Sequence, residues 1–117
     1  MTTTQAPTPS AVDVLQPDAP RIGGITPYLR LAGLAEHRGL QVAPHLAMEV
    51  HLHPAAAYPA ESWVEHFDWL EPLLEERPVI SGGLVHVPDR PGLGLTLSEQ
   101  ARAWTVDRAR IDAPPIP

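Results

Sequence analysis

The chain has 117 residues, 44% of them apolar, enough for one domain with its own core, and it carries a net charge of −6. All eight basic residues are arginine, which argues against a polyanionic partner such as nucleic acid and excludes both a P-loop and Schiff-base chemistry. There is no cysteine, so disulfides, thiolate zinc sites and iron–sulfur clusters are excluded, and proton chemistry falls to His, Asp and Glu.

In chain order, residues 1–10 are Thr, Pro, Gln and Ser with little to bury and are expected to form a disordered tail. They show no basic n-region or apolar h-region, and no apolar run approaches the ~20 residues that span a bilayer, so a cytoplasmic setting without membrane contact is expected. Val12–Leu15 is a first strand candidate, ending at Asp18. "ITPYLRLAGLAEHRG" predicts a helix, with Thr26 as its cap, Pro27 in its first turn and Tyr28, Leu31, Ala32 and Ala35 on one face, closed by Gly39. "LQVAPH" is a second strand candidate, a helix follows around Met48–Ala57, and "SWVEHF" is a third strand candidate. Strand, helix, strand, helix, strand is the order of parallel βαβ units, hence an α/β fold. Beyond it, "PVISGGLVHVPDR" predicts a small hairpin turning at Gly82-Gly83, "LSEQARAW" a short helix capped by Ser98, and residues 106–117 a second disordered tail.

Each strand candidate ends in an ionisable residue: Asp18, His45 and Glu65. Parallel sheets collect such residues at their carboxyl ends, where an Asp18–His45 dyad would serve as acid and base. A carboxyl in an apolar mouth, the place expected for Glu65, can stay protonated and donate to an oxyanion. The competing reading is that strand-end acids cap helices and that His45, after Pro44, is a satisfied turn residue. A second cluster, "MEVHLHPAAAY", sets Glu49 and His53 at i, i+4 with His51 between them, which admits a metal on one helix face or simply packed and solvated histidines. Gly23-Gly24 reads as a tight turn more readily than as an anion cradle. Trp63, Trp69 and Trp104 read as core or interface aromatics, and "RPGLGL" lacks the third glycine of a dinucleotide fingerprint.

The segments "VLQPDAPRIGGITPYLRLAGLAEHRGLQVAPHLAMEVHLHPAAAYP", "WVEHFDWLEPL" and "PDRPGLGLTLSEQARAW" closely resemble the C-terminal part of sugar-acid dehydratases in the mandelate racemase subgroup of the enolase superfamily, over residues 11–105. The resemblance implies strands 6 to 8, with their helices, of a (β/α)8 TIM-type barrel. It further implies an Asp18–His45 dyad that moves protons at the substrate carbon and a Glu65 that hydrogen-bonds the enolate oxygen. The implied reaction is a magnesium-dependent dehydration of an acid sugar of the talarate/galactarate type. In that family the Mg2+ ligands lie on strands 3 to 5, a lysine base on strand 2 and a capping domain ahead of the barrel, and the full-length proteins are oligomeric. The resemblance therefore implies a fragment, inactive alone, that binds no Mg2+ tightly and needs the missing barrel half or a homologous partner. The alternative is a non-catalytic interaction protein that keeps the half-barrel surface; a small metalloenzyme using Glu49 and His53 is the third reading.

Overall fold

The structure, a computed structural model, describes residues 11–109; the tail expected at 1–10 and most of that at 106–117 lie outside the described residues. The architecture is built on one parallel strand pair, β1 (Val14–Leu15) and β2 (Gln41–Val42). The two ladder residues of each strand are extended by backbone bonds at every second position: Gln41 N–H to Asp13 O (3.0 Å), Ala43 N–H to Leu15 O (2.8 Å) and His45 N–H to Pro17 O (3.0 Å). This evenly spaced pattern is the parallel ladder, and it requires a crossover to bring the second strand back in the same direction.

That crossover holds two helices. The four-residue α1 (Ala19–Ile22), which the sequence reading lacks, starts directly after Asp18 and ends at Gly23 in the left-handed region (φ 98°). The 13-residue α2 (Ile25–His37) follows, and its N-cap is Gly24 rather than the expected Thr26, which lies inside the first turn. The reason is local: α1 closes at Gly23, and two successive positive-φ glycines turn the chain so tightly that α2 begins a residue ahead of Thr26. Tyr28, Ala32 and Ala35 are buried as their i, i+4, i+7 spacing demands, against Val42 of β2, Ala19 and Tyr58. Full burial of a Val42-sized side chain contributes about 2 kcal/mol. Tyr58, beyond α3 (Met48–Ala56), donates its hydroxyl to Leu40 O and so fastens the chain leaving α3 to the start of β2.

The expected third strand at Ser62–Phe67 carries no ladder. Side chains, not backbone, attach this segment to β2 and the loop after it: Ser62 Oγ donates to Val42 O (2.8 Å), and the Glu65 carboxylate accepts from Leu46 N–H. A strand is defined by its neighbour's backbone, and among the described residues none lies alongside. A 3₁₀ helix over Asp68–Leu73 comes next. β3 (Val79–Ser81) and β4 (Leu84–His86) form the expected hairpin, turned by Gly82 (φ 59°) and Gly83 (φ 80°) as a primed turn requires. α4 (Glu99–Ala103) is capped by Ser98 Oγ, which accepts from Ala101 N–H, as expected. Trp63, Trp69 and Trp104 are each more than half exposed and so are not core residues here; Trp69 stacks on Phe67 with ring centroids 4.9 Å apart. Among the described residues no helix is long and apolar enough to cross a membrane.

The C-terminal segments are held by Glu76, whose carboxylate accepts from Thr96 Oγ1 (2.7 Å) and Thr96 N–H (2.6 Å) and pairs with Arg90. The Thr96 hydroxyl, the Arg90 guanidinium and the Thr96 amide pull its pKa down to about 2, against the opposing cost of desolvation. With a folded pKa below the unfolded one, the stabilisation from Glu76 is fully present above about pH 4.5 and is lost as the pH falls toward about 2. Glu76→Gln is expected to lower the melting temperature at pH 6 relative to the parent chain, and thermal melts from pH 6 downward should show that gap closing as the parent's carboxylate protonates.

Candidate active site

The parallel pairing of β1 and β2 fixes where the candidate groups lie. Asp18 and His45 follow the carboxyl ends of the two strands, and the His45 N–H to Pro17 O bond holds their two loops side by side. Among the described residues no hydrogen bond joins Asp18 to His45. The Asp18 carboxylate is buried and engaged locally: Oδ1 accepts the Arg21 N–H at the start of α1 (3.4 Å) and Oδ2 pairs with Arg21 Nε (3.1 Å). In this structure Asp18 is therefore a helix cap, because a carboxylate one residue ahead of a helix finds unpaired N–H groups within reach of its short side chain. The expected Asp18–His45 contact is not formed among the described residues.

His45 has a carboxylate partner all the same, in Glu65. His45 Nδ1 and Glu65 Oε2 are 3.1 Å apart, and the same oxygen accepts from Leu46 N–H at 2.7 Å. The Leu46 amide is the largest influence holding the Glu65 carboxyl below the usual carboxylate range; desolvation opposes it, and the hydrogen bond and charge of His45 assist. Glu65 is thus ionised near neutral pH, where the sequence reading expected a protonated donor: the site is half open, and two donors stabilise its anion. An ionised acceptor at Nδ1 favours the neutral tautomer that carries its proton there, which leaves Nε2 with a free lone pair. His45 and Glu65 are brought together as a carboxylate–imidazole pair, with Asp18 on the adjoining loop.

The turn that carries the pair is strained. Leu46 (φ 56°) and Ala47 (φ 41°) both lie in the left-handed region, which costs an L-residue about 1–2 kcal/mol each. Glu65 holds one side of this turn through Leu46 N–H. His51 holds the other, since its Nδ1 lies 2.7 Å from Leu46 O while its Nε2 accepts Ala19 N–H at 2.8 Å. The sequence reading placed His51 only beside a possible metal pair; nothing in the local pattern distinguishes it from His53, because both of its partners belong to other turns of the chain.

Glu49 and His53 do share a face of α3, and Glu49 Oε1 and His53 Nε2 are buried without hydrogen-bond partners. Among the described residues, however, no group of three His, Asp or Glu side chains converges to hold a metal ion. Magnesium requires several oxygen ligands in near-octahedral array, and these residues do not fit it.

The chain belongs to the enolase C-terminal domain-like family, which matches residues 4–101. Among relatives, L-talarate/galactarate dehydratase of Salmonella typhimurium is 57% identical over 96 residues, 82% of this chain and 24% of that protein. D-xylonate dehydratase of Haloferax volcanii is 36% identical over 102 residues, 80% of this chain and 25% of that one. Among solved structures, L-talarate dehydratase of Polaromonas sp. JS666 complexed with Mg and L-glucarate superposes with a TM-score of 0.82 at 62% identity, covering 89% of this chain and 29% of that chain. The Salmonella enzyme liganded with Mg and L-lyxarohydroxamate gives 0.77 at 58%, covering 79% and 24%. The chain thus spans about a quarter of the length of the relatives it matches.

Ala47→Gly is expected to stabilise the chain by up to about 1 kcal/mol, because relief of left-handed strain exceeds the entropic cost of glycine. Chemical denaturation checks it: a lower midpoint for the variant would show that the turn carries no strain.

Proposed function

We propose that the chain supplies strands 6 to 8 of a sugar-acid dehydratase barrel, with His45 as the acid and base at the carbon next to a substrate carboxylate. The observation that carries this reading is the 3.1 Å contact of His45 Nδ1 with the Glu65 carboxylate at the carboxyl end of the β1–β2 pair. High identity to talarate dehydratases over the same stretch supports it.

In this reading Nε2 of His45 takes the proton α to the carboxylate, and the imidazolium that forms is stabilised by Glu65 across the existing contact. That imidazolium then returns a proton to the departing β-hydroxyl, so that water leaves and an enol remains, which tautomerises to a keto-deoxy acid. While the imidazolium persists, its Nδ1 proton passes to Glu65, which then donates to an enolate oxygen, and the proton returns to Nδ1 as Nε2 gives up its own to the leaving hydroxyl, so that His45 ends neutral. Asp18 lies on the adjoining loop, whose backbone Pro17 O accepts the His45 N–H, and its carboxylate caps α1. No step is assigned to magnesium, which the described residues do not hold. The substrate class is an acid sugar of the talarate/galactarate type, and the partner is the remainder of a barrel, which would cover the open side of β1.

The purified chain with Mg2+ and galactarate is expected to give no dehydration. Co-expression with a Salmonella talarate/galactarate dehydratase cut back to lack the matching quarter is expected to restore it, and His45→Asn in the chain to lower the restored rate by about 10² or more. Robust turnover by the chain alone, or a restored rate indifferent to His45, would overturn the proposal.

A second reading, a non-catalytic interaction protein, is favoured by the apolar side chains left in solvent on and beside the crossover: Val14 is 42% exposed, Leu29 44% and Leu34 53%. It differs in outcome, requiring a discrete complex that forms without any gain of dehydratase activity.

A further inference from the structure

We propose that His51 is a positioning residue, a single buried imidazole that fixes the loop bearing Asp18 relative to the loop bearing His45. The reaction it would serve is the one proposed above; the tie itself rests on geometry independent of that reading.

His51 is completely buried, with the ring of Tyr28 tilted against it at a centroid distance of 5.8 Å. Its two nitrogens have partners of opposite kind. Nε2 receives the N–H of Ala19 at 2.8 Å, and Nδ1 faces the carbonyl of Leu46 at 2.7 Å. A backbone N–H only donates and a carbonyl only accepts, so the ring is neutral with its proton on Nδ1, an assignment forced by the partners. Ala19 directly follows Asp18 and Leu46 directly follows His45, so the ring bridges the residues next to the two candidate groups. The bridge also explains how the Leu46–Ala47 turn keeps its left-handed backbone: Glu65 takes the N–H of Leu46 and His51 its C=O, from opposite sides. Catalytic side chains require placement within a fraction of an ångström, which short loops seldom supply unaided.

A histidine that merely filled the core would, on replacement, loosen its surroundings together. A positioning role separates the two ends, because Asn presents its amide N–H near the place of Nδ1 and Gln presents its carbonyl near the place of Nε2. The test is NMR of the full ¹³C,¹⁵N-labelled chain and of the His51→Asn and His51→Gln variants. In the parent chain the His51 ring is expected to show one tautomer, Nδ1 protonated and Nε2 bare. In His51→Asn the Ala19 amide is expected to exchange with solvent about tenfold faster while the Leu46 carbonyl ¹³C shift is little changed, the loss due to one hydrogen bond, and in His51→Gln the Ala19 amide to stay protected while the Leu46 carbonyl ¹³C signal moves upfield. A ring that is mobile, tautomerically averaged or protonated on Nε2 in the parent chain, including a chain without fixed structure, overturns the proposal. So does the same pair of changes, at the Ala19 amide and the Leu46 carbonyl, in both variants; should one variant not fold, the parent tautomer and the other variant decide. None of these signals involves turnover, so failure of the tie and failure of the dehydratase reading are distinguishable.

Discussion

Everything at the candidate site depends on the parallel backbone pairing of residues 13–17 with residues 41–45. Three N–H to C=O bonds, of 3.0, 2.8 and 3.0 Å, align two short segments in the same direction and so bring their carboxyl ends to one place. Parallel alignment obliges the intervening chain to cross over the sheet, and the crossover explains the amphipathic form of α2, whose Tyr28, Ala32 and Ala35 close over Val42. Without that pairing, the loops following Pro17 and Pro44 would have no common reference, and His45 no fixed relation to its neighbours.

Beyond the strand pair, organisation passes from backbone ladders to side chains. Ser62, Glu65 and Tyr58 each bond a backbone group of the β2 region, and Glu76 does the same for the C-terminal segments. Such ties hold a chain in place without imposing a regular form, which is why the stretch from Ser62 to Phe67 remains irregular while staying within reach of His45. They also concentrate charge: the carboxylate that fastens the strained Leu46 turn is the one that faces the imidazole.

Much of this was legible from residue types alone wherever the determining forces are local. The Pro27 start and apolar spacing of α2, the Gly82-Gly83 hairpin, the Ser98 cap and the alternation of strands and helices all rest on conformational preferences within a few residues. What escaped the reading rests on distant partners or on a residue type with two uses. Asp18 is equally suited to capping a helix and to orienting a histidine, and the α1 that it caps leaves no mark in the local residue pattern. The missing ladder at Ser62–Phe67 depends on a neighbour that a local pattern cannot specify. His51 lies 32 residues from Ala19, so its bond there leaves no trace in spacing.

One further feature bears on how such a chain fares in a cell. β1 has β2 on one side and, among the described residues, no strand on the other, with Val14 open to solvent. An open strand edge accepts any extended segment that reaches it, including one from an identical chain. Such an edge ties aggregation to concentration: pairing between copies rises with the amount of chain present, whereas any segment that occupies the edge removes the site at which copies would meet.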